Sequence, residues 1–352
     1  MAPFDNFDES ALGAFMESTL GVRGTGFRFY LVGNYASGRN IFYMDSDFNV
    51  LSYIAAGDNN LYGVAVDGQG HVLVSGVHDS SSKNTWYLDS DGDVVWSYQA
   101  GTVTANAYGC AFDGDGDALV CGTYTPADGG SGAVVEKVNS SGAQVWEWNN
   151  GGGVGVAVAV DAGGNVYVLW TTGAGNVWIT KLDEDGNHEW TVDPGFPAAV
   201  DLSCSIAIEA GGGVYVSVNF TTGGPDSLYC LDPSDGSADW SIVNPPPNGS
   251  YGCAKAPDNG VVVVGKLYDS KYVWKFALSD GSTDWSLAPT SAATCTAGAI
   301  EQGSGEIVVA SSGKLCRISA DGTELDYKVA GPGVPRGMAI DAGGLVAELA
   351  EA

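Results

Sequence analysis

Carboxylates at alternate positions are the first candidates for chemistry in this 352-residue chain. Asp113-Gly114-Asp115-Gly116-Asp117 and Asp89-Ser90-Asp91-Gly92-Asp93 both open as a calcium loop opens, with oxygen donors two residues apart. Neither run has the bidentate glutamate that such a loop needs at its twelfth position, where Tyr124 and Ala100 stand instead. The second reading of both runs is a tight Asp/Gly turn with solvated carboxylates. Nucleophilic catalysis finds no support, because His71, His78 and His188 fall at strand ends or turns with no Ser or Cys held beside them. Zinc spacing is missing as well. The cysteines at 110, 121, 204, 230, 253, 295 and 316 are odd in number, form no CxxC, and read as small buried hydrophobes. The expectation is a chain with no catalytic residue, no metal and no cofactor.

Aromatic residues are the other candidates. Ten tryptophans and sixteen tyrosines could line a carbohydrate platform, but half of the tryptophans fall in a repeating column. Two loops depart from the repeat and are plausible recognition elements: 194–197 (Pro-Gly-Phe-Pro) and 244–249 (Asn-Pro-Pro-Pro-Asn-Gly). Their other reading is a rigid connector.

The net charge is −28, yet only 16% of residues are charged, below the ~25% of an average domain. Nine Lys and five Arg spread along the chain build no basic patch, so a nucleic-acid partner is not expected. No run of 18 apolar residues is present, so no membrane-spanning helix is expected. The opening Met1-Ala2-Pro3-Phe4-Asp5 lacks the features of a secretory signal. A hydrophobic fraction of 45% is ample for a core, and the 52 glycines show no period of three.

The elements that must position these residues come from a repeat. Alanine recurs at 65, 111, 159, 207, 254, 299 and 339, with spacings of 46, 48, 48, 47, 45 and 40. About thirty residues later, a glycine precedes a tryptophan by four: Gly92/Trp96, Gly142/Trp146, Gly186/Trp190, Gly236/Trp240 and Gly281/Trp285. Two copies drift, with Asp326 and then Tyr327 after Gly322, and Ser52 and then Tyr53 in the first unit. Each unit reads as four short strands joined by Gly/Asp/Asn turns. Seven such units predict an all-β fold, a seven-bladed β-propeller of four-stranded blades. Alanine would let inner strands approach closely, and tryptophan would pack between blades. The first unit lacks an alanine strand, so residues 337–341 are expected to complete the blade begun by 27–54 and close the ring.

The unit Val158-Ala159-Val160-Asp161-Ala162-Gly163-Gly164-Asn165-Val166-Tyr167-Val168, with its continuation from Ile179 to Trp190, resembles the bacterial SBBP propeller repeat. Leu231-Asp232-Pro233-Ser234-Asp235-Gly236-Ser237-Ala238-Asp239-Trp240 is similar to the repeats of PQQ-type propellers. The resemblance covers roughly 27–341 and implies architecture; it does not imply function. Quinone chemistry of the PQQ dehydrogenases is not expected, since no two cysteines are adjacent and the chain is short for that class.

Residues 1–26 stand outside the repeat. Asp5 or Asp8 can cap a helix, Phe4, Phe7, Ala11, Phe15 and Leu20 follow helical spacing, Leu12 and Met16 widen the stripe, and Gly21 ends it. Phe4, Phe7, Leu12, Phe15 and Met16 are the expected docking residues, against either a partner protein or the propeller itself. The segment loosely resembles N-terminal helices of tailed-phage virion proteins. The expectation is therefore two parts, a helical docking segment at 1–26 and a propeller at 27–352. The expected function is a non-enzymatic structural or recognition role in a larger assembly, with a phage virion appendage or decoration protein as the favoured case. Its partners would be other structural proteins held by the helix, with a protein or glycan ligand on the loops. The alternatives are a free-standing protein- or glycan-binding propeller, cytoplasmic or exported without a classical signal, and, third, a propeller hydrolase or quinoprotein.

Overall fold

The computed structural model describes residues 28–341 and Leu349–Ala350, apart from 35–39, 55–59, 79–81, 101–104, 125–131, 173–175, 194–199, 210–212, 221–225, 244–249, 266–270, 291–294, 312–313, 330–333 and 342–348. The described residues begin at the second strand of a blade, with β1 (Arg28–Asn34), β2 (Ile41–Asp45) and β3 (Val50–Ile54). Blade two holds β4 (Leu61–Val66), β5 (Val72–Gly76), β6 (Thr85–Leu88) and β7 (Val94–Tyr98). Blade three holds β8 (Ala107–Phe112), β9 (Ala118–Tyr124), β10 (Gly132–Val138) and β11 (Gln144–Asn149). Blade four is β12 (Val154–Val160), β13 (Val166–Thr171), β14 (Val177–Leu182) and β15 (His188–Val192). Blade five is β16 (Val200–Ile208), β17 (Val214–Phe220), β18 (Asp226–Leu231) and β19 (Ala238–Val243). Blade six is β20 (Ser250–Ala256), β21 (Gly260–Gly265), β22 (Val273–Ala277) and β23 (Thr283–Leu287). Blade seven is β24 (Cys295–Ile300), β25 (Ile307–Ser311), β26 (Lys314–Ile318) and β27 (Glu324–Val329). Two further strands end the chain, β28 (Val334–Asp341) and β29 (Leu349–Ala350).

Every blade is an antiparallel meander, and the ring closes as the repeat requires. β28 pairs with β1 in the register Phe29↔Ile340, Tyr30↔Ala339 and Leu31↔Met338, supplying the inner strand that the first unit lacks. The alanine strands β28, β4, β8, β12, β16, β20 and β24 each touch the next around the ring. Crowding there is measurable: a Cβ on Gly109 would stand 3.0 Å from the Ala157 Cα of the neighbouring blade. The closing sheet differs from expectation in having five strands, because β29 adds to the inner edge of β28 through Gly337↔Ala350 and Met338↔Leu349. No helix occurs among the described residues, and the helix expected within 1–26, with Phe4, Phe7, Leu12, Phe15 and Met16, lies outside them.

The core is not one cluster. Among the described residues it divides into seven main clusters, one between each neighbouring pair of blades, and a small eighth of Ala100, Ala107 and Val120 beside the joint of blades two and three. Strands alternate side chains between faces, so each blade packs both ways, and a lone blade would leave both apolar faces wet. Blades seven and one are joined in the same manner as the rest, by Ala297, Val308 and Leu315 against Phe29, Phe42 and Ile340. The outermost strands are largely exposed on the rim of the ring, as at Val94, Val95 and Val145.

The tryptophan column locks these joints. Each indole N–H donates to a carbonyl of the outer hairpin of the next blade: Trp96 to Ser140 at 3.0 Å, Trp146 to Glu184 at 3.1 Å, Trp190 to Pro233 at 3.2 Å, Trp240 to Leu278 at 2.9 Å and Trp285 to Ala320 at 3.0 Å. The glycine of that next hairpin lies against the same ring. A Cβ on Gly186 would come within 2.6 Å of Trp146 Cδ2, and one on Gly322 within 2.6 Å of Trp285 Cδ2. Both glycines also have positive φ, at +80° and +85°. The hairpin therefore needs glycine twice, once for its turn and once for the indole.

Where the column drifts, the joint is rebuilt. Blade seven offers no tryptophan to blade one, and the facing turn has Phe48 at φ +62° in the glycine position. Phe48 is 1% exposed and meets Phe29 edge-on, while Arg317 Nη1 donates to Ser46 O at 3.1 Å and Lys328 Nζ lies 3.4 Å from Phe48 O. At the next joint Gly92 is kept, and Ile54 fills the space the indole would take.

Two outcomes test this construction. Deleting residues 335–352 should lower the melting temperature by more than about 10 °C, since it opens the ring and exposes two inter-blade faces; an unchanged melting curve would reject closure by β28. Gly116 and Gly186 share the same turn conformation, φ +81° and +80°, but nothing stands within 4 Å of a Cβ at Gly116. Gly116→Ala should therefore cost about 1 kcal/mol in urea unfolding, and Gly186→Ala a further 1–3 kcal/mol or so from overpacking. Equal costs would remove the indole contact from the account.

Candidate functional site

The Asp-rich runs resolve into turn-builders. The first carboxylate of each run accepts two backbone amides of its own hairpin: Asp113 Oδ1 from Asp115 N at 3.0 Å and Asp117 N at 2.9 Å, Asp89 Oδ1 from Asp91 N at 3.0 Å and Asp93 N at 2.9 Å. Asp45, Asp67, Asp161 and Asp183 do the same, and Asn139 shows that the amide serves as well as the acid. Such short side chains stabilise a turn by capping donors that would otherwise face solvent. The second oxygens are used too. Asp113 Oδ2 is 2.7 Å from the Lys137 ammonium, which is also 3.6 Å from Asp117 Oδ2. The hydrogen bonds from Asn187, Ser234, Ser282 and Ser319 hold Asp183, Asp232, Asp280 and Asp321 below the usual carboxylate range. No group of three or more His, Cys, Asp or Glu poised for a metal occurs among the described residues.

Among the described residues, the three histidines are held apart from one another and from the cysteines. His71 and His78 flank β5 at its two ends, and His188 opens β15 in a different blade. His71 Nδ1 sits 2.7 Å from Asp67 Oδ2, and His188 Nε2 sits 2.8 Å from Thr191 Oγ1. All seven cysteines are buried in the inter-blade cores. Burial pushes the Cys230 and Cys253 thiols up to about 11, away from the thiolate that nucleophilic chemistry uses. The loops 194–197 and 244–249 lie outside the described residues.

A set of residues not singled out by the repeat comes together at the opposite end of the channel. The hairpins that carry the aspartates all lie on one face, so every inner strand begins at the other. Near that beginning each inner strand is bulged. The extra residue is Tyr62 in β4, Tyr108 in β8, Val156 in β12, Tyr251 in β20, Thr296 in β24 and Arg336 in β28, and β16 has a longer excursion between Val200 and Cys204. A bulge re-aims the side chain it carries. In three consecutive blades the re-aimed side chains meet. The Arg336 guanidinium lies over the Tyr62 ring at 5.0 Å from its centroid, and Tyr62 faces Tyr108 at 5.2 Å with a 34° tilt. Asn106 Nδ2 donates to the Tyr108 hydroxyl at 3.2 Å. The chain entering β8 is tied down by buried Asn84, whose amide donates to Ala100 O and Ala105 O and accepts from Ala100 N. The only sequence signal for this set is the column three residues before the alanines, where tyrosine occurs at 62, 108 and 251 and arginine at 336.

Three tryptophans outside the column gather on blades three and four. Trp170 and Trp178 are cross-strand partners with rings 5.7 Å apart at 14°, and Trp148 packs on the same core as Trp170.

Among known proteins, the family model PQQ_2, described as outer membrane protein assembly factor BamB, matches residues 175–348. No curated protein matches the chain. Among solved structures, a functionally unknown protein from Desulfotomaculum acetoxidans is similar with a TM-score of 0.62 at 14% identity, covering 93% of this chain and all of that one. A chain of a mitotic checkpoint complex gives 0.61 at 14% identity, covering 83% and 87%, and the Dos1 propeller gives 0.58 at 10%, covering 92% and 90%. At such identities the likeness is one of fold alone. The resemblances to SBBP repeats and to virion N-termini rest on the residues quoted for them and on nothing further. The chain is a seven-bladed β-propeller carrying a PQQ-like repeat across its C-terminal half.

Proposed function

We propose that the protein is a non-enzymatic recognition propeller that binds a protein partner within a larger assembly, through the face opposite its aspartate hairpins. The observation that carries this reading is how the reactive side chains are used. The hairpin aspartates are committed to turns, the five column indoles to blade joints and the thiols to the core, whereas Arg336, Tyr62 and Tyr108 at the channel rim take part in none of these repeated contacts. A ring of packed blades is a rigid scaffold on which such side chains can hold a partner. The family model that matches residues 175–348 is named for an assembly factor, which agrees with this reading. Placement in a virion gains no support from the described residues or from the relatives. A glycan-binding reading draws on the stacked Trp170 and Trp178.

Purifying the untagged protein from its source, followed by mass spectrometry and an absorbance spectrum, tests the proposal. The expected result is a protein partner in stoichiometric amount and no quinone absorption. A bound quinone with dye-reducing activity, or hydrolytic turnover that survives further purification, would replace the recognition reading with an enzymatic one. Selective retention on a glycan array, lost in Trp170→Ala, would shift the ligand class to carbohydrate.

A further inference from the structure

The rim cluster has properties that a purely structural cluster would not need. Arg336 brings one of only 14 basic side chains, in a chain with 42 acidic ones, to the mouth of the channel. Its Nε is shut off from solvent and has no hydrogen-bond partner among the described residues. An unsatisfied buried donor on a charged group is costly, and a structural cation–π contact alone is served as well by a fully satisfied arginine. The bulges at Arg336, Tyr62 and Tyr108 bring side chains from three adjacent inner strands into a row, with the cation over the Tyr62 ring and Tyr108 behind that ring. A guanidinium held in this way is pre-organised for a carboxylate, because its plane is fixed by the ring beneath it.

A second observation concerns backbone. The inner edge of a propeller blade presents unpaired amides and carbonyls to the channel, and in this protein one such edge is occupied. The extended segment Leu349–Ala350 adds to β28 opposite Met338 and Gly337, and lies beside the inner strands β4, β16, β20 and β24. Gly337 is the neighbour of Arg336. The edge that takes a strand and the cation that would read its side chain are therefore contiguous.

We propose that Arg336, Tyr62 and Tyr108 form a binding site for an acidic side chain of an extended peptide that adds as a strand to the inner edge of β28. The site rests on the recognition reading above and names its ligand class. Backbone pairing along β28 gives affinity without sequence preference, and the carboxylate at the Arg336 position gives selectivity. Tyr62 excludes water from one side of the ion pair, which strengthens it, and Tyr108 backs the Tyr62 ring. The protein's own Leu349–Ala350 strand occupies the same edge, so a ligand must displace it, and a chain ending at residue 341 should bind more tightly than the full chain.

The test is calorimetric titration of the full chain with an eight-residue peptide of alternating Val and Glu, against the same peptide with Gln for Glu. Wild-type protein should bind the Glu peptide at least about tenfold more tightly than the Gln peptide, and Arg336→Gln should remove that difference. Arg336→Lys, which keeps the charge but loses the planar stack, should retain part of it. Melting curves of both variants confirm folding, and the chain ending at 341 should show a several-fold gain. Equal binding of the two peptides, no binding to wild type, or an unchanged preference in folded Arg336→Gln would overturn the site. Free glutamate binding as tightly as the peptide would overturn strand addition. A native partner that binds Arg336→Gln as well as wild type would overturn this site while leaving the recognition function standing.

Discussion

The ring depends on one contact repeated around it, an indole laid on the glycine turn of the next blade with its N–H on that turn's backbone. A four-stranded sheet with two apolar faces cannot stand alone in water, so each blade needs both neighbours. Lateral hydrophobic packing supplies most of the attraction, but it is non-directional and would tolerate sliding. The indole hydrogen bond sets the angle and height of one blade against the next. Each such bond contributes on the order of 1 kcal/mol net, yet each also fixes where the next outer hairpin must lie. The two joints that lack it are rebuilt with Phe48, Arg317 and Lys328 on one side of blade one and Ile54 on the other. Both border the blade made from the two ends of the chain, where the repeat is interrupted.

Charge is distributed according to the same logic. Aspartates are concentrated in the hairpins because a carboxylate two residues before a turn amide organises that turn. The buried Lys275 and the half-buried Lys137, Lys181 and Arg317 sit beneath these hairpins and pair with Asp258, Asp113, Glu189 and Glu306. Four of the 14 basic side chains are thereby committed to the acidic face. Arg336 stands apart at the other end of the channel, which is what directs attention to the rim.

Much of the architecture was legible in the residues. The alanine column marked the inner strands, the glycine and tryptophan columns marked the outer hairpin and outer strand, and the alanine at 339 without a following unit marked the closure. The partnership of glycine and tryptophan was only half legible. They recur four residues apart within a unit, but the contact joins Trp146 to Gly186, forty residues on and one blade over. Periodicity within a unit carries no information about which neighbour is touched. The rim left only the column three residues before the alanines as a trace, because a bulge is a backbone event and nothing in Tyr62 or Arg336 by type announces one. β29 was equally hidden, since a two-residue strand has no periodicity. The calcium-like spacing of Asp113, Asp115 and Asp117 was genuine as a pattern, but turn capping needs the same spacing, and Lys137 neutralises the carboxylates.

Indole hydrogen exchange followed by NMR tests the blade-joint account most directly. The Nε1 protons of Trp96, Trp146, Trp190, Trp240 and Trp285 belong to half-buried rings on the outermost strands, where solvent access alone would allow rapid exchange. If each is held by the carbonyl of the next blade, all five should exchange slowly and together, with the protection of the inner strands β8 and β12, because release requires a joint to open. Exchange of these protons at the rate of a solvated indole, while the inner strands remain protected, would contradict the claim that the joints hold the ring.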